Sequence, residues 1–153
     1  MREVRDKITE HFTVWEAVRS DAAARLKIDN FPKQEKEWDN IKQTCMALEK
    51  VRVLLGNRPI IITSFYRCYE LNCHPAIGSK PTSAHIDGRA VDFECIGLDN
   101  NETYDIIQAH KEEIQYDQLI REFEVYGQPM SGWIHLGFAE ASVAPRLMAF
   151  RFK

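Results

Sequence analysis

Apolar residues recur at helical spacing through the N-terminal part of the chain and at strand spacing through much of the remainder. Trp38, Ile41, Cys45, Leu48 and Val51 follow one another by three or four positions, with Lys42 and Glu49 opposite. They predict a long helix over 33–55, introduced by Pro32 and ended by Gly56. Upstream, Thr13 with Glu16 three residues on is a capping-box signature and opens a predicted helix over 13–26, although Val14, Ala17, Val18 and Leu26 are only partly periodic. The β-branched run RPIIITS predicts a strand over 58–64, and 65–84 reads as a long loop with a short helix around 69–72. A strand over 90–95, a helix over 102–113 and strands over 118–123 and 133–138 follow, the last two joined by the turn-rich EVYGQPMSG, with a closing strand over 146–152. Helices first and hairpin-connected strands afterwards argue an α+β fold, with N-terminal helices packed on a mostly antiparallel sheet. No repeat, low-complexity tract or Gly/Ser linker divides the chain, so 1–153 reads as one domain.

Composition narrows the partners more than the fold. A net charge of −3 and a pI near 6.0 provide no basic footprint for nucleic acid or an anionic membrane, and neither is expected as a partner. The opening MREVRDKITEHF is charged throughout, without the apolar stretch of a signal peptide, and no later run is long enough to insert in a membrane. Synthesis in the cytoplasm is the expectation. Cys45, Cys68, Cys73 and Cys95 read as reduced thiols; C-x4-C followed by His74 is a loose zinc half-site with no second pair to complete it.

The stretch TSAHIDGRAVDF poses the chemical question, because it sets Asp92 inside a strand that should bury what it carries. An unpaired buried carboxylate costs several kcal/mol, so something cationic must hold it. The period of two sends Val91, Phe93 and Cys95 to one face of this strand and Ala90, Asp92 and Glu94 to the other. In SGWIHLGF the same alternation turns Ile134, Leu136 and Phe138 toward the core and leaves Trp133, His135 and Gly137 opposite. Gly88 permits the sharp reversal that returns His85 over Asp92. Two imidazoles and a carboxylate with a fourth position left to water form a common catalytic zinc set, and His85, Asp92 and His135 fit it. The residues alone leave a second reading open, in which Asp92 caps a loop amide and His135 is a satisfied core histidine. His11, His74 and His110 lack partners at ligand spacing.

S-x-H-x-x-G-x-A-x-D (Ser83, His85, Gly88, Ala90, Asp92) followed by W-I-H (Trp133 to His135) resembles the D-alanyl-D-alanine carboxypeptidase family of zinc peptidases. That family also holds vancomycin-resistance dipeptidases and phage endolysins that cut peptidoglycan stems. ITEHFTVWEAVRSDAAARLKIDNFP, PIIITSFYR, GSK and YDQLIREF extend the likeness to its compact bacterial and prophage branch, over nearly the whole chain. The resemblance implies a hedgehog/DD-peptidase-like fold and one Zn2+ ion on His85, Asp92 and His135. It also implies a substrate-binding and catalytic Arg67, a pocket-lining Ser83 and a peptidoglycan peptide substrate cut by carboxypeptidase or endopeptidase action. The chain is expected to work as a monomer, acting at the wall after phage-type release.

The general base is where the chain departs from the family pattern. Many members keep an acidic residue three positions before the second histidine, and Gly132 stands there. The compact branch resembles DQLIxE instead, which makes Glu122 the expected base, on a strand predicted to pair with the one carrying His135. Gln118, Ile120 and Glu122 share a face, with Leu119 and Phe123 predicted to enter the core; Glu94 is the reserve base because it shares Asp92's face. Gly132 also supports an alternative reading, a non-catalytic zinc-holding relative that grips wall peptides or serves in a virion. Phe65 in place of a frequent glycine, and a lengthened LNCHPAIGSKPTSAH loop, are further departures bordering the expected cleft.

Overall fold

The computed structural model describes residues 2–153. Three short or long helices lead the chain: α1 (Val14–Val18), α2 (Asp21–Leu26) and α3 (Glu35–Leu54). They are followed by β1 (Ile60–Ser64), α4 (Tyr69–Cys73), β2 (Ala90–Cys95), α5 (Asn100–Ala109) and α6 (Lys111–Ile114). The chain closes with β3 (Gln118–Glu122), β4 (Trp133–Gly137) and β5 (Met148–Arg151). The strands form one five-stranded sheet in the order β1-β2-β4-β3-β5. Its β1–β2, β2–β4 and β3–β4 pairings are antiparallel, whereas β5 runs parallel to β3. The α+β reading holds, with one parallel pairing at the β5 edge.

The periodic stripe of α3 is buried as its spacing predicts, from Trp38 through Val51. Its residues join one hydrophobic cluster with Val91 and Phe93 of β2, Leu119 of β3, Ile134 and Leu136 of β4 and Ile107 of α5. Burying each large apolar side chain of that cluster contributes about 1.5–3 kcal/mol.

Several expected boundaries move. The predicted helix over 13–26 is two helices, because Ser20 leaves helical geometry (φ −152°) and its hydroxyl accepts from the Ala23 N–H at 3.1 Å, capping a new start. The capping box at Thr13 and Glu16 is present. The helix predicted over 102–113 starts at Asn100 behind the cap Asp99 and breaks at His110, whose Nδ1 engages the Ile106 carbonyl at 2.7 Å. The first strand begins at Ile60 and the last is confined to Met148–Arg151. Phe123, expected in the core, is 50% exposed with φ +53°; the chain turns out of β3 at this residue, and its ring packs against Trp133 and Phe152 instead. Both faces of β2 are covered, since Ala90 and Asp92 are as buried as Val91 and Phe93. All four cysteines are free thiols. No helix among the described residues is long and apolar enough to cross a membrane.

Candidate metal centre and cleft

Asp92 and His135 are register partners on β2 and β4, so strand alternation turns both side chains to the same face. His135 Nδ1 lies 2.8 Å from Asp92 Oδ1, and His85 Nε2 lies 3.3 Å from the same oxygen. The two imidazole rings meet edge to face with centroids 5.2 Å apart. Ligand atoms of all three residues lie within 4.8 Å of one another, and the three are the one such histidine, cysteine or carboxylate group among the described residues.

His85 reaches this point from the turn before β2, and α3 holds that turn. Thr44 Oγ1 donates to the Gly88 carbonyl and Asn40 Nδ2 to the Asp87 carbonyl, each at 2.9 Å. Gly88 has φ +74°, and a Cβ there would sit 3.1 Å from the Glu37 carbonyl and closer still to Ile41, so only glycine lets the turn seat against the helix. The His85 ring is fixed from behind, with Nδ1 2.6 Å from the Phe65 carbonyl. A carbonyl oxygen only accepts, so a ring hydrogen belongs on Nδ1, and Nε2 is the atom turned to the carboxylate. Nε2 and an oxygen of a 6% exposed aspartate, 3.3 Å apart, call for positive charge between them, carried by a proton on the ring or by a metal ion. Burial works against the charge on Asp92, but His85 and His135 outweigh it and hold the carboxyl well below the usual carboxylate range. Two nitrogen donors and one oxygen donor, oriented by an outer hydrogen bond, suit a tetrahedral ion that keeps one position open.

A cleft of about 980 Å³ opens over this group and is lined by Arg67, Ser83 and Glu122 together with the three converging residues. Arg67 follows β1, and no partner among the described residues satisfies its buried Nε. Burial lowers its pKa while the Asp92 and Glu122 charges push the other way. Ser83 is half-buried and its hydroxyl accepts from the His85 N–H at 3.4 Å, so it also supports the turn. Glu122 Oε2 accepts from Trp133 Nε1 at 2.7 Å. Burial first, and the Asp92 charge second, raise the Glu122 pKa above the ordinary glutamate value; His135, the Trp133 bond and His85 only partly offset this. Glu94, the reserve, lines no part of the cleft and meets Asn100 Nδ2 at 3.4 Å instead.

The Peptidase M15 family model matches residues 10–136, which takes in every residue of the cleft's metal group. The chain belongs to the peptidase M15 family. No curated protein matches it. Peptidases of the M15 family are zinc-dependent, and the His85, Asp92 and His135 group is the one that could hold the ion here.

An M15 chain with Gly132 three positions before His135 has a local reason for the glycine. Gly132 has φ +61°, and a Cβ at this position would collide with the Glu122 carbonyl and come within 2.8 Å of the Phe123 carbonyl. The backbone between β3 and β4 folds directly onto the end of β3, which leaves no room for a side chain at 132. Sequence reasoning did not single out the residues that hold this connection. Arg121 is fully buried and donates to the Glu122 and Pro129 carbonyls and to Asn101 Oδ1, each at 3.2 Å. Asn100 Nδ2 is shared among the carbonyls of Met130, Ser131 and Gly132 at 3.2–3.3 Å. The available signal was an arginine in alternation with Leu119 on a strand, a position where a charge needs partners. His11 and His110 remain outside the site, on Glu49 and the Ile106 carbonyl, and His74 Nδ1 accepts from the Ala76 N–H.

Proposed function

We propose that the chain is a single-domain zinc peptidase over 1–153 that hydrolyses peptide bonds in peptidoglycan stem peptides, acting as a monomer, without nucleic acid and without membrane insertion. The observation that carries the reading is the convergence of His85 and His135 on the buried Asp92 within a cleft that also exposes Glu122 and the unpartnered Arg67. The wall substrate is supported by the family and by the resemblance to its prophage branch, which also favours action at the wall after phage-type release.

Zinc bound by His85, Asp92 and His135 supplies Lewis-acid polarisation of the scissile carbonyl and acidifies water beside it. The remaining work falls to the chain's own side chains. Trp133 Nε1 holds Glu122 Oε2 at 2.7 Å, which leaves Oε1 to take a proton from the attacking water and return it to the leaving amine nitrogen. The raised pKa of Glu122 brings its basicity closer to neutrality, which suits both halves of that transfer. The Arg67 guanidinium orients the substrate through a carbonyl or carboxylate oxygen, and Ser83 lines the same wall. The non-catalytic alternative drew its support from Gly132, and the collision of any Cβ there with the Glu122 carbonyl gives that glycine a backbone reason that is independent of catalysis.

Mass spectrometry of purified peptidoglycan and its stem peptides, incubated with zinc-loaded protein and with a chelated control, tests the proposal. Chelator-sensitive release of D-alanine or a stem fragment is the expected result. No product from any stem while zinc is bound would leave the wall-binding alternative standing.

A further inference from the structure

The peptidase reading is the ground for a second step, which concerns what lies on either side of the metal group. A smaller cavity of about 360 Å³ adjoins the large cleft and shares Arg67, Ile77, Asp92 and Trp133 with it. The strand order puts the two on opposite sides of the central β2–β4 pair. Ile62, Thr63 and Ser64 of the outer strand β1 line the smaller arm, whereas Gln118, Ile120 and Glu122 of β3 and Phe150 of β5 line the larger.

The far wall of the smaller arm is the break between α1 and α2. Ser20 creates the break by capping α2, and Trp15, Arg19 and Ser20 border the cavity. Arg19 stacks over the Trp15 ring at 5.0 Å and lies 3.6 Å from Asp21, so this wall carries both signs of charge and no isolated cation. On the near wall Thr63 has no register partner, because β1 bulges between Ile62 and Ser64. A bulge on an outer strand beside a cleft leaves main-chain groups free for an extended peptide to meet.

An enzyme that trims terminal residues needs a wall just beyond the scissile bond and a cation there for the terminal carboxylate. Arg67, whose buried Nε has no partner among the described residues, lines both arms and therefore stands at their junction, beside the metal group. Both arms continue past it. We propose that the arm over β1 is a second substrate subsite, holding an extended peptide on one side of the scissile bond while the larger arm holds the other. Cleavage then falls within a chain: water adds its oxygen to the carbonyl carbon, the C–N bond breaks and a proton reaches the leaving nitrogen, with no free C-terminal carboxylate required.

The deciding experiment compares a purified stem peptide bearing a free C-terminus with its C-terminal amide, using zinc-loaded protein and mass spectrometry. Internal fragments from both, at rates within about threefold of each other, are expected. Release of a single terminal residue from the free acid, with the amide cut about a hundredfold more slowly, overturns the second subsite and leaves the peptidase reading intact. No product from either peptide, with zinc bound, removes both. Trp15→Ala, at a half-exposed position, is expected to raise KM about tenfold with kcat little changed. Arg19→Ala should move KM in the same direction, and an unchanged KM in both variants overturns the assignment of the arm.

Discussion

The β2–β4 pair and the connection that leads from β3 into β4 lie side by side, and only the first is built from repeating geometry. Asp92 and His135 meet because they are register partners in an antiparallel ladder. Glu122 reaches the same cleft at the last residue of β3, where the chain turns through Phe123 at φ +53° and the backbone of Gly132 closes on it. Ladder positions are fixed by many equivalent hydrogen bonds, whereas the Glu122 end depends on a few irregular ones from Arg121, Asn100 and Trp133. The proposed metal holding and proton transfer therefore rest on different kinds of support, and substitutions can separate them.

The largest effect is expected on the ladder side. Asp92→Ala removes the shared carboxylate, and zinc content measured by elemental analysis should fall to background while hydrolysis falls by about a thousandfold or more. A protein that keeps its zinc after this change would end the assignment of the ligand set. On the other side, Glu122→Gln should leave zinc content unchanged and lower kcat by about a hundredfold to ten-thousandfold, because the amide still accepts from Trp133 but takes no proton. Wild-type kcat in that variant would transfer the proton work elsewhere.

Gly132→Ala sharpens the comparison through stability. The added Cβ meets the Glu122 carbonyl in a conformation with positive φ, so thermal or denaturant unfolding should show a loss of about 2–4 kcal/mol. In the folded fraction kcat should fall with zinc retained. Trp133→Phe is the mildest change. Burial raises the Glu122 pKa and the Trp133 bond lowers it, so losing the donor lets the pKa rise further. The base works only when deprotonated, and activity appears as pH rises through that pKa. The acidic limb of the kcat/KM profile should therefore move to higher pH, with kcat on the plateau reduced about tenfold or less.

The same contrast explains what could be read before the structure. Strand alternation and helical spacing are periodic, so the buried stripe of α3 and the shared face of Asp92 and His135 were legible in residue order, whereas the grouping of His85 with them, over an Asp92 that caps a loop amide, was favoured only by the family resemblance. The failures fall where a single side chain overrides a period. Ser20 stops one helix and starts another, His110 divides a second, and Phe123 leaves the face its parity assigns because the strand has ended. Gly132 was visible only as a missing acid. Its meaning required the Glu122 carbonyl, ten positions earlier, to be seen pressed against its Cα side. For Arg121 the alternation with Leu119 signalled only that a buried charge needs partners; which groups supply them, on Asn101, Glu122, Pro129 and Ser131, required the fold.

The contact between Gly132 and the end of β3 also bears on how this protein can change. Moving the acid from 122 to 132 would require a side chain where the backbone now lies, and removing the acid from 122 first would forfeit the proton carrier. On the proposed role of Glu122 each single step is disfavoured, which couples the two positions through the β3–β4 connection.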